Sequence, residues 1–386
     1  MSLRIGCGLS EHPEARVGAI EAANQARIGL GGADADLVLI FASGAHLAAP
    51  EATLEGIEEA LSPAALVGCG AAGVVGVGRE VEGGTAISVW AAAFDEGLAE
   101  TFHAHVEPVG DALALEGLPA PDDASGLLLF PDPSTFPTAR VLQELGRAAP
   151  AVPVVGGLAS GETTDGGVVL FRDGDVHTDG AVGVRLEGIE LLPCVSQGAA
   201  PVGPELTITA ADGHVIQELA GRPALQALQE AILNLDATER ALVEGGLLLG
   251  IVIDGGKPEY DQGDFLVRGL LGADPDDGTI AVAAPVSTGQ VVRLHARDAA
   301  SADSDLRDGL ALRRAALGGE RPAGALIFTC TGRGAGMFGI GHHDAGALAD
   351  ELGAPAAGFF AAGEIGPVGG EPFVHTFTAT VAVFAR

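Results

Sequence analysis

Gly68-Cys69-Gly70-Ala71-Ala72-Gly73 recurs twice more in the same chain, as Gly156-Gly157-Leu158-Ala159-Ser160-Gly161 and as Gly358-Phe359-Phe360-Ala361-Ala362-Gly363. All three fit G-x-x-A-[AS]-G, with the outer glycines five residues apart. Upstream of each stands an apolar run: Leu37 to Phe41, Leu127 to Phe130 and Leu326 to Phe328. The last phenylalanine of each run precedes the first glycine by 27, 26 and 30 residues. A helical pattern fills each gap, at Pro50 to Leu61, Ser134 to Arg147 and Asp344 to Leu352. Another apolar run follows, at Ile87 to Phe94, Ala181 to Leu186 and Ala379 to Phe384. The chain has 59 glycines, which weakens the statistics of any one match. The shared order and spacing nevertheless point to three copies of one unit: strand, helix, strand, glycine loop, strand.

A strand–helix–strand unit of this size is a right-handed βαβ crossover with two parallel strands. The strand after the glycine loop can return antiparallel, giving a mixed sheet. Runs such as Leu127 to Phe130 are apolar on both faces and need cover on both sides. The expected fold is therefore α/β, with stacked mixed sheets and helices outside. Leu247 to Asp254 begins a poorer relative without the glycine signature and is not counted as a copy. Ala200 to Pro204 reads as a linker, dividing the chain into residues 1–204, with two copies, and residues 205–386, with the third. Gly213 to Ile232 reads as a helix interrupted by Pro223.

Composition sets the exclusions. Of the 386 residues 47 % are hydrophobic, and the mean hydropathy is +0.34. No apolar run approaches the ~20 residues that span a bilayer. Met1 to Ser10 lacks the basic-then-apolar pattern of a secretory signal, so a cytoplasmic protein is expected. Net charge is −32, which repels phosphate backbones and makes nucleic acid or an anionic membrane a poor partner. The four cysteines, Cys7, Cys69, Cys194 and Cys330, are scattered, which fits neither a disulfide framework nor a zinc site. His103 and His105 share a strand face without a third ligand in view, and Asp344 after His342-His343 reads as a helix N-cap, so no metal is expected. No P-loop or dinucleotide fingerprint is present, and no cofactor is expected.

In α/β units ligands gather at loops leaving the carboxyl ends of strands. The third copy has the most polar such loops, Thr329 to Gly334 and the Glu364 to Gly370 continuation of its glycine loop. Arg333 offers a planar fork for a carboxylate, and Glu364 a partner for an ammonium, so the two could grip an amino acid. The plainer alternative is that the two side chains pair with each other and lock their loops. Cys330, His375 and Glu364 also form a nucleophile, base and acid set, without a local signature to support it.

These same residues carry a resemblance. Val67 to Glu82, preceded by the strand Asp36 to Ser43, resembles the middle of the N-terminal domain of the FIST family. Phe265 to Asp298 is similar to the start of that family's C-terminal domain. TCTGRG from Thr329, GFFAAGEIGPVGG from Gly358 and FVHTFTATVAVF from Phe373 are similar to its end. The resemblance implies a sensory module that binds a small ligand such as an amino acid, and signals through a separate partner protein. It implies site positions at Cys330, Arg333, Glu364 and His375, with Arg79 and Glu80 from the first copy. Gly334 and Gly366, in the same loops, complete the set. The second copy has Glu162 where the third has Glu364, and the first has Val74. The alternatives are a thiol-dependent enzyme using Cys330 and an acidic interaction scaffold.

Overall fold

The computed structural model describes residues 3–109, 112–163, 166–260 and 262–386. It divides into two compact units. The first is assembled from Met1–Val195, Leu306–Val374 and Thr378–Arg386; the second is Ser196–Asp305 with His375–Phe377.

The three copies lie in the first unit, each as a sheet. Leu37–Ser43 runs parallel to Leu66–Ala71, Gly126–Pro131 to Val154–Gly157, and Gly324–Cys330 to Ala356–Ala361. Each pair is followed by a strand antiparallel to its first member: Ala86–Phe94, Ala181–Glu187 and Thr378–Phe384. The expected mixed sheets are present. Helix Pro50–Leu61 has the expected bounds, started by proline at its first turn. The other two crossover helices are Thr138–Ala148 and His343–Leu352.

One feature escapes a linear reading. Between each glycine loop and its returning strand the chain makes a hairpin that leaves its own sheet. The first copy's hairpin, Gly73–Gly76 and Arg79–Glu82, joins the third copy's sheet against Ala356–Ala361. The third copy's Glu364–Val368 joins the second copy's Val154–Gly157. The second copy's Leu170–Arg172 and Asp175–His177 join the first copy's Leu66–Ala71. The three copies thus exchange hairpins in a closed cycle.

The first glycine of each signature makes the exchange possible. A Cβ on Gly68 would lie 1.8 Å from the Ile40 carbonyl oxygen, on Gly156 2.0 Å from that of Leu129, and on Gly358 1.7 Å from that of Ile327. Only glycine lets the parallel partner come this close. On the inner faces the phenylalanines that end the three first strands meet. Phe41, Phe130 and Phe328 are fully buried, with centroid separations of 5.6, 6.3 and 5.6 Å. All three sheets contribute to this core, and Phe359 fills its remaining space. The outer faces are covered by helices: Ala15–Leu30 and Pro50–Leu61 on the first sheet, Thr138–Ala148 on the second, and His343–Leu352 with Leu306 and Leu310 on the third.

The second unit holds a seven-stranded sheet, from Ala199–Asp212 to Arg222–Pro223 in strand order. Among the described residues all its strand pairs are antiparallel, and Leu247–Val252 lies antiparallel to both neighbours. Two expectations change here. Ala200 to Pro204 belongs to the strand Ala199–Asp212 rather than forming a loose link. The helical stretch begins only at Ala224; Val215–Leu219 is a strand, because Pro223 can sit before a helix but not within one. Helix Ala224–Leu233 packs Ala227, Leu228 and Ala231 into this unit's own core. No helix among the described residues is long and apolar enough to cross a membrane.

If the phenylalanine cluster joins the three sheets, Phe130→Ala destabilises the protein by about 3–5 kcal/mol in urea unfolding. Ile28→Ser, at a position 81 % exposed, changes stability by no more than about 0.5 kcal/mol. A Phe130→Ala cost as small as the control's would show that the sheets do not depend on one core.

Candidate functional site

The parallel strand Gly324–Cys330 ends at a tight turn in which the Arg333 amide donates to the Cys330 carbonyl. That turn folds Arg333 back beneath helix His343–Leu352. Its guanidinium is completely buried and meets Asp344 in a fork: Nε to Oδ2 at 2.9 Å and Nη2 to Oδ1 at 2.9 Å. Thr329 Oγ1 donates to Asp344 Oδ2 at 2.6 Å, and His343 Nδ1 lies 2.9 Å from Oδ1. Burial alone would raise the Asp344 pKa, but Arg333 and these hydrogen bonds hold it well below the usual carboxylate range. Asp344 is therefore an ion-pair partner inside the first turn. His342, at φ +63°, occupies the cap position and makes no side-chain cap bond.

The cap comes from the first copy. Glu80 is 5 % exposed, and its Oε1 accepts from the Ala345 amide at 2.9 Å. Two residues on, Glu82 accepts from the Ala335 amide at the start of the short helix Gly334–Phe338. Both carboxylates project from the exchanged hairpin onto helix N-termini, where orphan amides and the helix dipole favour negative charge. Burial raises the Glu80 pKa, and Asp344 and Glu82 add to the rise. Arg79 points elsewhere, pairing with Glu11 at 2.6 Å on an exposed surface.

Glu364 opens the third copy's hairpin and is completely buried. Its Oε2 accepts from the Thr378 amide at 3.0 Å and from Thr378 Oγ1 at 2.8 Å. Burial pushes its pKa up to about 8, against the opposing pull of Thr378, Arg333 and the Cys330 thiol. Burial thus favours its neutral form. Glu162, its counterpart in the second copy, is exposed, and Val74 in the first is apolar and buried.

Arg333 and Glu364 are close enough to shift each other's pKa, yet they do not pair. Each leaves one buried polar atom unsatisfied: Arg333 Nη1 and Glu364 Oε1. Glu80 Oε2 and Thr380 Oγ1 are unsatisfied as well. Native interiors leave few such atoms without a partner. Cys330 is buried at the end of its strand, and its sulfur accepts from the Gly332 amide at 3.4 Å. Gly334 has φ +65°, and a Cβ there would come within 2.4 Å of Glu82 Oε2. Gly366 faces Thr380 with the same lack of room. His375 is buried and belongs to the second compact unit.

The structure thus brings Arg333, Glu364, Cys330, Gly334 and Glu80 into one region of the first unit and sends Arg79 to the surface. Thr329, Asp344, Glu82, Thr378 and Thr380 are additional members. The signal for the threonines was present: Thr378 and Thr380 alternate in an otherwise apolar strand. His103 and His105 do share a face, and His177 from the exchanged hairpin stacks on His103 at 3.9 Å. Among the described residues no group of three or more His, Cys, Asp or Glu side chains is arranged to hold a metal ion.

The first half of the chain, residues 36–222, matches the FIST N domain, and residues 224–367 match the FIST C domain. The chain belongs to the FIST family. FIST domains are small-ligand sensory domains of signal transduction. The uncharacterized protein Rv0628c of Mycobacterium tuberculosis is 45 % identical over 386 residues, covering 99 % of this chain and all of that one. Mb0898c, an uncharacterized protein of Mycobacterium bovis, is 46 % identical over 387 residues, covering 99 % of both.

The two buried acids of this FIST site respond oppositely to pH. Asp344 has a depressed pKa, so its contribution is present at neutral pH and is lost as the solution becomes strongly acidic. Glu364 has a raised pKa, so its contribution is full below the unfolded value near 4.5 and is lost as pH rises through about 8. Glu364→Gln should therefore leave stability near wild type at pH 5 and exceed it at pH 9, in denaturation midpoints. Asp344→Asn strands a buried guanidinium and should cost about 3–5 kcal/mol at pH 7. A Glu364→Gln variant with the same offset at both pH values would contradict the assignment.

Proposed function

We propose that this FIST protein senses a small carboxylate-bearing ligand, an amino acid being the type case, held between Arg333 and Glu364. The observation that carries the reading is the pair of unsatisfied atoms. Arg333 Nη1 and Glu364 Oε1 are buried, electrostatically coupled and unbonded. A guanidinium N–H and a protonated carboxyl are both donors, and a ligand carboxylate accepts from both. Asp344 holds the guanidinium in place through Nε and Nη2, leaving Nη1 for the ligand. A neutral Glu364 is a poor orienting acid for the set of Cys330, His375 and Glu364, so binding rather than thiol chemistry is the favoured use of the site.

Access goes through the segment from Gly334 to Gly341. Phe338 lies over the guanidinium at 5.1 Å and stacks on His343 at 3.5 Å. Gly334, Gly339 and His342, all at positive φ, flank the short helix and are its natural hinges. A ligand that favours the lifted over the closed arrangement shifts the balance between them, and a separate signalling partner reads the difference.

Thermal shift and calorimetry with free amino acids and small monocarboxylates test this reading. A ligand bound through its carboxylate alone needs neutral Glu364, so its affinity falls as pH rises above about 8. A ligand that also places an ammonium on Glu364 needs the ionised form, and binds better through the same range. Glu364→Gln should abolish either pH dependence. Tight binding that ignores both pH and Glu364→Gln would refute the site.

A further inference from the structure

At the opposite end of the Gly324–Cys330 strand from Cys330 lies a cleft of about 550 Å³. It is lined by Arg4, Arg321 and Arg386, over an apolar floor of Leu3, Ile5 and Pro355, with no acidic residue among the described residues of its wall. In a chain with 52 acidic and 20 basic residues, a lining with three arginines and no carboxylate side chain runs against composition. Their pairing is as unusual. Other arginines here, such as Arg16, Arg140 and Arg333, meet a carboxylate within hydrogen-bond distance, or, like Arg293 and Arg314, a backbone carbonyl. Among the described residues Arg321 and Arg386, which both line this cleft, have neither a carboxylate nor a carbonyl partner. The third lining arginine, Arg4, reaches Asp95 only at 3.7 Å, with both side chains about half exposed, a contact that solvent screens.

We infer that this cleft is a second binding site, for a small organic anion carrying two negative charges as a dicarboxylate or phosphate monoester. Unpaired guanidinium forks match both oxyanions in geometry and charge. The apolar floor suits a short carbon body, and the volume suits a ligand of metabolite size. The cleft opens where Ala323 and Pro355 lead into their strands, whereas Arg333 follows the far end of the first of these. Seven strand residues separate the two by about 20 Å. The inference therefore stands independently of the ligand proposed for Arg333 and Glu364.

Calorimetry of the full chain at low salt, with succinate and phenyl phosphate as probes and succinamide and phenol as neutral controls, tests it. At least one charged probe should bind one-to-one at submillimolar affinity, roughly, and the neutral controls should not. Affinity should fall steeply with added salt and by at least about tenfold in the Arg321→Ser/Arg386→Ser double variant. These arginines are on the surface, so an unchanged melting temperature in that variant separates lost binding from lost folding. Glu364→Gln should leave the binding intact. Failure of both charged probes at about 10 mM, binding that survives the double variant, or binding lost instead in Glu364→Gln would each overturn the inference.

Discussion

The contact on which the first unit depends is that of a bare glycine Cα with a neighbouring strand's carbonyl. It occurs three times, at Gly68, Gly156 and Gly358, where an added Cβ would lie 1.8, 2.0 and 1.7 Å from the carbonyl oxygen. It lets each parallel pair close tightly and receive another copy's hairpin on its other edge. Every sheet is thereby completed by chain from elsewhere in the sequence. That closes edges which would otherwise expose unpaired backbone groups. The phenylalanine cluster at the centre is the packing consequence, since three equivalent strands end on one another.

The exchange also explains why a polar site occurs at one of three similar positions. The first copy's hairpin carries Glu80 and Glu82 to the helix starts of the third copy. The third copy's loop carries Glu364 inward beside Arg333. In the other copies the position of Glu364 is taken by an exposed glutamate or a buried valine, so no buried acid forms. The Arg333–Asp344 fork fixes one charge in place, and the low-dielectric surroundings that strengthen this pair are the same ones that keep Glu364 protonated. A neutral acid and an oriented guanidinium, each with a spare donor, are the two halves of the proposed receptor for a carboxylate inside an acidic protein.

Much of this was legible in sequence. The repeat, its strands and its helices follow from spacing and hydrophobic period, because those are local properties of the chain. Which sheet a hairpin joins is not local, and the exchange left no sign beyond the extra residues between Gly73 and Ile87. Asp344 looked like an N-cap because aspartate at a helix start usually is one. The buried arginine that claims it lies eleven residues earlier in the chain, and the capping role passed to Glu80 across the exchange. The sequence marks Arg333 and Glu364 together, as gripping a ligand or pairing with each other. The fold supplies a third partner that leaves both with spare hydrogen-bonding capacity. The Ala200 to Pro204 stretch reads as a linker because its prolines and glycine resemble one, whereas in the fold they sit in a long strand at a bulge.

The proposed site depends on Glu364 being a buried acid that keeps its proton at neutral pH beside Arg333. Difference infrared spectroscopy across a pH titration, with Glu364→Gln as reference, reads its carbonyl stretch directly. A protonated-carboxyl band should persist at pH 7, disappear with a midpoint near 8 and be missing from the variant. Ionisation of Glu364 in the ordinary carboxylate range, with no such band at pH 7, would contradict it.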